Sequence, residues 1–174
     1  REVARQFLDI AELRYQKLSD HRGALDAAAK ALRVCDSHPE ARERCEALAG
    51  EVSAFGDLYT LFAEVADQQK ARGASPDEER AFRFRAAQLA EKQLGRNEEA
   101  ALQLRRCLEL APSDGPVLET LVRMALAGER WGEARELLRR AADNAPASTK
   151  GASTRPGSRA RSSFAKPTRS TISG

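Results

Sequence analysis

Apolar and polar residues alternate along most of this chain with the three- and four-residue steps of an amphipathic α-helix. One apolar stripe runs through Ala101, Leu104, Leu108 and Ala111, and similar stripes recur up to about residue 144. Neighbouring helices bury such stripes against one another. The pattern predicts eight helices, over residues 3–18, 21–35, 39–53, 55–71, 76–94, 97–110, 115–127 and 131–144.

Capping residues mark where several of these helices begin. Residues 75–78 comprise a cap serine, a proline at the first helical position and a glutamate that can close a capping box. Related starts occur at residues 37–40 and 113–116, and Asp20 and Asn97 are placed to cap second helices. Glycines mark the short turns inside two hairpins, at Gly95 and Gly128.

Self-similarity at two distances indicates that the helices form repeated hairpins. Residues 97–112 align without a gap on residues 131–146, with seven of sixteen positions identical and a shift of 34. A second shift, of 76, relates Ala11/Ala87, Leu13/Leu89, Leu18/Leu94, Ala24/Ala100, Leu32/Leu108 and Ser37/Ser113. A double hairpin used twice explains both shifts. One hairpin cannot bury both of its faces, so we expect the hairpins to stack.

Composition agrees with an all-α fold, because the 174 residues are 41% hydrophobic but only 5% aromatic, and much of the hydrophobic fraction is alanine. The net charge of +3 is unevenly placed. Six of the 29 basic residues and none of the 26 acidic residues lie in residues 147–174, so this tail carries +6 and the body −3. A mildly acidic body argues against nucleic-acid binding by the repeats.

The last 28 residues have a different composition, rich in Ser, Thr, Arg, Gly and Pro. We therefore predict a helical domain over residues 1–146 and a disordered basic tail over residues 147–174. The tail is interpreted as a linker without a specific role, or as an arm that contacts nucleic acid, anionic lipid or an acidic protein; the first interpretation is favoured.

Little in the sequence points to a secreted or membrane-spanning protein. Three cysteines, an odd number without a C-x-x-C pair, favour a reducing compartment, and no apolar run is long enough to span a membrane. A cytoplasmic location is expected. The first residues contain no methionine and no signal-peptide pattern, so we expect the chain to begin inside a longer protein.

These repeats resemble the tetratricopeptide repeat (TPR) family, whose unit is a 34-residue helical hairpin with small residues where helices cross. The resemblance rests on small residues, large residues and terminal prolines in the last two hairpins, at Ala100, Ala134, Cys107, Ala141, Leu104, Leu138, Pro112 and Pro146. The first hairpin keeps Ala11, Tyr15, Ala24 and Ala31. The second departs from the pattern, with Leu58 at a small-residue position and a longer connection to the next hairpin.

The resemblance implies a right-handed superhelical solenoid of about four antiparallel hairpins, whose first helices line a concave groove. It implies a non-catalytic scaffold that binds a peptide or helix of a partner protein, without a cofactor. Candidate groove residues are Arg14, Arg85, Lys92 and Arg123, although a solvated or paired helix charge is the favoured interpretation of each one taken singly. The alternative function is a spacer that positions an enzymatic or signalling domain elsewhere.

Other candidate chemistry is weak. His21 and His38 belong to no catalytic motif, and Cys35, His38 and Cys45 are too few for a closed zinc site. Cys107 is expected to be a packing residue. Phe55 and Trp131 begin equivalent second helices, and we expect each to pack into the preceding turn rather than to bind a ligand.

Overall fold

The computed structural model describes residues 2–144, and these residues form an all-α solenoid of antiparallel hairpins with no strand. The predicted helices are confirmed, each end to within two residues. The helices are α1 (Glu2–Leu18), α2 (His21–Val34), α3 (Pro39–Glu51), α4 (Phe55–Arg72), α5 (Pro76–Lys92), α6 (Asn97–Leu110), α7 (Gly115–Ala127) and α8 (Trp131–Asn144). None of the described helices is both long and apolar enough to cross a membrane.

Side-chain caps begin two of the helices. Asp20 accepts a hydrogen bond from the Gly23 amide at 2.8 Å, and Asp114 accepts one from Val117. The capping box predicted at Ser75 is wrong: Ser75 stands at the N-cap before Pro76, but its side chain caps nothing. The reason is local, because the first free amides of α5 donate to the Ser75 carbonyl instead.

Two other predicted caps are displaced by one residue. His38, not Ser37, stands at the N-cap of α3, and its side chain makes no cap hydrogen bond. Arg96 stands at the N-cap of α6 because its carbonyl accepts from the Ala100 amide, which places Asn97 inside the helix. The sequence therefore predicts the positions of the helices better than it predicts which residues cap them.

The repeat is visible in the backbone of the four turns inside the hairpins. Each turn has one residue of left-handed conformation two positions before the second helix, at Ser19 (φ 51°), Ser53 (φ 52°), Gly95 (φ 65°) and Glu129 (φ 56°). These positions are 34, 42 and 34 residues apart, the same spacings as the starts of the second helices. Only one of the four is glycine, so the other turns hold a side chain in a conformation that costs about 1 kcal/mol or more.

The longer central spacing comes from longer helices. α4 has 18 residues where α2 and α6 have 14, and α5 has 17 where α3 and α7 have 13. Each is therefore longer by about one helical turn. As a result α5 packs about as extensively on α4, in the preceding hairpin, as on α6, in its own.

The core follows the stack as two clusters that meet at α5. One cluster runs from α1 to Phe82 and Ala86 of α5, and the other begins at Ala87 and Ala90 of the same helix. Phe62 and Phe82 join α4 to α5 with ring centroids 5.6 Å apart in an edge-to-face arrangement. Small alanines elsewhere in the core let the helices approach closely.

Most repeat positions named from the sequence are buried. Those with at most 2% exposure are Ala24, Leu58, Ala100, Leu104, Cys107 and Ala134. Ala141 is half-buried and Pro112 is exposed. Pro146, like the whole predicted tail at residues 147–174, lies outside the described residues.

Two residues of α8 are more exposed than the residues matched to them. Leu138, matched to the buried Leu104, is 52% exposed, and Trp131, matched to Phe55, is 65% exposed. Phe55 is half-buried beside Leu89 on α5, which packs against α4. Among the described residues no helix follows α8 to cover Trp131 and Leu138 in the same way.

Candidate functional site

Arginine–glutamate pairs join each first helix to the first helix of the next hairpin. Glu12 of α1 pairs with Arg44 of α3, Glu46 of α3 with Arg85 of α5, and Glu91 of α5 with Arg123 of α7. The Arg85 guanidinium is held twice, with Nη2 at 2.5 Å and Nε at 3.2 Å from the Glu46 carboxylate. We call these three pairs the first-helix ladder. In this ladder the arginine and glutamate charges of the first helices are paired with each other, so they are less available to a binding partner.

The four predicted groove cations do not form one site. Arg85 and Arg123 belong to the first-helix ladder, with Arg123 Nη2 at 2.5 Å from Glu91 Oε1. Arg14 lies in the first hairpin and pairs with Asp20 at 3.2 Å. Lys92 is exposed at the end of α5 and has no ion-pair partner among the described residues. The carboxylate partners of Arg85 and Arg123 come from the preceding hairpins, and that of Arg14 comes from the turn after α1. The sequence pattern does not reveal these pairs.

A groove of about 660 Å³ opens between α3, α5 and the start of α7. We call it the central groove. Its apolar surface is provided by Phe84, Ala81 and Pro116, of which Phe84 is half-buried. Its charged lining consists of Arg42, Glu43, Glu46, Arg80, Arg85 and Asp114.

Most of the charged lining is already paired. Arg80 contacts Asp114 and, at 3.6 Å, Asp77, while Arg85 is held by Glu46. Arg42 and Glu43 are different, since neither has an ion-pair partner among residues 2–144. The half-buried Arg42 is therefore the cation of the groove that remains available to a ligand.

A smaller cavity of about 240 Å³ adjoins the central groove, because Arg42 and Ala81 line both. On its wall lies Gln69, which is 1% exposed and whose two amide atoms have no hydrogen-bond partner in the protein. The Nδ1 atom of His38, on the same wall, is also buried without a partner. Buried polar atoms normally have partners, so this wall is suited to a ligand that provides hydrogen bonds.

A buried ion cluster lies where α4, α5 and α6 meet. Arg83 is 1% exposed and donates to Glu79 at 2.6 Å, Asp67 at 2.9 Å and Gln103 at 3.2 Å. Burial alone would lower the pKa of Arg83, but its hydrogen bonds to Glu79 and Asp67 outweigh burial and raise that pKa. Sequence reasoning missed this residue; the i,i+4 spacing of Glu79 and Arg83 was the available signal.

His21, Cys45 and Cys107 have contacts within the protein that explain them as structural residues. His21 lies 3.0 Å from Glu51, which also accepts a hydrogen bond from Tyr15 and thereby raises the Tyr15 pKa. Burial raises the pKa of Cys45 to about 12 and that of Cys107 to about 11, so both thiols stay protonated at neutral pH. Among the described residues no group of three His, Cys, Asp or Glu side chains could hold a metal ion.

Comparisons with known proteins add little beyond these observations. No family model matches the chain, and no curated protein matches it. Among solved structures, the chain is similar to a crystal structure of the MamA protein, with 11% sequence identity and a TM-score of 0.38. That likeness covers 90% of this chain and 99% of that one.

Proposed function

We propose that this chain is a non-catalytic, TPR-like interaction module that binds an extended peptide segment of a partner protein in the central groove. The observation that carries this proposal is the unpartnered Gln69 amide on the wall of the smaller cavity that adjoins the central groove. A buried polar group without a hydrogen bond costs about 1–3 kcal/mol, so a ligand that satisfies it has that free energy to gain.

The chemistry of the lining fits a peptide. A glutamine amide offers both donors and an acceptor, the complement of a peptide group with its C=O and N–H. Phe84, Ala81 and Pro116 form the apolar surface for one aliphatic or aromatic side chain. Arg42 is available for an acidic side chain next to it. Of the four cations predicted from the sequence, only Arg85 lines this groove.

The test uses a displayed library of random peptides panned against the immobilised 174-residue chain. We expect selected peptides to combine an apolar residue with an acidic one. Their affinities are then measured by titration calorimetry for the wild type and for Arg42→Glu and Gln69→Leu. Each variant should bind at least about tenfold more weakly, the equivalent of about 1.4 kcal/mol.

One control variant and one stability measurement separate binding from folding. Lys30→Glu reverses an exposed charge on α2, outside the groove lining, and should leave peptide affinity unchanged. Gln69→Leu removes an unsatisfied buried amide, so it should raise the free energy of unfolding while it weakens binding. Selected peptides that bind all variants equally would refute the proposed site.

The alternative function, a spacer that positions a domain elsewhere, makes the opposite prediction. A spacer needs a continuous core and a rigid first-helix ladder but no groove ligand. Panning that returns no peptide with measurable affinity would favour the spacer over the scaffold.

A further inference from the structure

A further pocket, of about 290 Å³, lies between α3, α4 and α5 beside the central groove. We call it the α5-end pocket. Glu46 and Arg85 line both the central groove and this pocket, so the two spaces are continuous. The smaller cavity joins the central groove in the same way, through Arg42 and Ala81. The three adjoining spaces therefore form one trough.

This trough runs lengthwise along two first helices, because residue numbers rise together on its two walls. From the smaller cavity to the α5-end pocket, the lining passes from Arg42 to Glu46 on α3 and from Ala81 through Arg85 to Leu89 on α5. Each of these steps is about one helical turn. A ligand that occupies all three spaces must therefore lie along the helices.

The α5-end pocket combines an apolar wall with a cation. Phe55 and Leu89 are half-buried and provide accessible apolar surface. Lys92, in the last turn of α5, is exposed and has no ion-pair partner among the described residues. The remaining charges of the lining, Glu46 and Arg85, are paired with each other. The pocket thus presents one available positive charge beside an apolar surface.

Two available cations, Arg42 and Lys92, stand far apart along the trough. Ala81 of α5 is near the level of Arg42, because both residues line the same two spaces. Lys92 follows Ala81 by 11 residues, which corresponds to about 16 Å along the helix axis. An extended peptide covers that distance with about five residues.

We propose that the peptide bound in the central groove continues into the α5-end pocket and places a second acidic side chain against Lys92, about five residues from the acid at Arg42. An apolar side chain two residues before or after that second acid lies on the same side of an extended strand and packs on Phe55 and Leu89. This extension rests on the proposed function, to which it adds the length of the ligand and the spacing of its two acids.

The experiment uses peptides selected on the 174-residue chain, resynthesised at constant composition with the second acid five or two residues from the first. Titration calorimetry at low salt should show about fivefold tighter binding for the five-residue spacing, the contribution of one exposed ion pair. Lys92→Glu should abolish this preference. Lys17→Glu is the matched control and should keep it, because Lys17 is an exposed lysine in the last turn of another first helix and lines none of the three spaces.

A charge swap tests the contact between the peptide and position 92 directly. A peptide whose second acid is replaced by lysine should bind Lys92→Glu more tightly than it binds the wild type. Its loss of affinity with Arg42→Glu should remain, since the first acid is unchanged. Circular dichroism verifies that all variants are folded.

The extension and the proposed function fail in different ways. Peptides that lose affinity with Arg42→Glu but bind equally well at both spacings, or are insensitive to Lys92→Glu, would overturn the extension and leave the proposed site intact. A spacing preference that Lys17→Glu also removes would trace it to overall charge and overturn the extension. Peptides insensitive to both Arg42→Glu and Gln69→Leu would overturn the proposed function and the extension with it.

Discussion

Replacing Arg83 tests whether the buried ion cluster determines the stability of the middle of the stack. Arg83→Leu leaves the Glu79 carboxylate, only 9% exposed, without its cationic partner 2.6 Å away. Breaking a buried pair in this way typically costs about 3–5 kcal/mol, because an uncompensated charge stays buried. A domain of this size is stable by about 5–15 kcal/mol, so the loss should be a large fraction of the total.

The double variant separates the cost of a lone charge from the value of the pair. Glu79→Leu together with Arg83→Leu removes both charges and fills the space with apolar side chains, which is often neutral or stabilising. Glu79→Leu alone should cost less than Arg83→Leu, since Arg83 keeps Asp67 and Gln103 as partners. We therefore expect the double variant to be more stable than Arg83→Leu alone by about 3 kcal/mol.

The assay is urea unfolding followed by circular dichroism, with the four proteins arranged as a double-mutant cycle. Arg105→Leu is the matched control, because Arg105 pairs with Glu133 at 2.7 Å but is 45% exposed. An exposed pair of this kind should contribute less than about 1 kcal/mol. The reasoning is refuted if Arg83→Leu costs no more than Arg105→Leu, or if the double variant is as unstable as the single one.

Three further predictions concern thiols, caps and packing. The free energy of unfolding should fall as pH rises above about 9, because the thiols of the unfolded chain ionise there. In the folded chain, Cys45 and Cys107 stay protonated up to pKa values of about 12 and 11. Urea titrations at a series of pH values should show a shallower fall for the variant with both cysteines replaced by alanine, and an equal fall would contradict the prediction. Asp114→Ala should cost at least about 1 kcal/mol by thermal melting, because Asp114 caps α7 through its side chain and also pairs with Arg80. Ser75→Ala should cost almost nothing, because the Ser75 side chain caps nothing; equal costs would refute this. Ala100→Asp should abolish cooperative unfolding of the neighbouring hairpins, since Ala100 is fully buried, and a wild-type melting curve would show that the site tolerates a charge.

Sequence reasoning succeeded where the determinant is local. Helix positions follow from apolar periodicity over a dozen residues, and all eight were predicted to within two residues at each end. The cap at Asp20 could be predicted for the same reason, because the Asp20 side chain and the Gly23 amide that it caps are only three residues apart. The cap predicted at Ser75 is absent because the Glu78 amide donates to the Ser75 carbonyl and not to its hydroxyl. The backbone geometry of that one turn decides between the two acceptors.

The sequence did not reveal the ion pairs around the candidate site, because side-chain pairing is not local. Arg85 and Arg123 were selected as polar residues on first helices, but their partners Glu46 and Glu91 lie on the preceding first helices, more than thirty residues away. Helical periodicity gives the face of each residue but not the angle at which two hairpins meet. That angle decides which charges come within a few ångströms of each other.

The sequence by itself determined the eight helices, the 34- and 76-residue spacings and the small residues that allow the helices to stack. Only the tertiary structure decided which equivalent positions are buried. Phe62 and Leu138 have the same place in the repeat, yet one is in the core and the other is exposed. The physical reason is that burial depends on the next helix in the stack, which α4 has in α5 and which no described helix provides for α8.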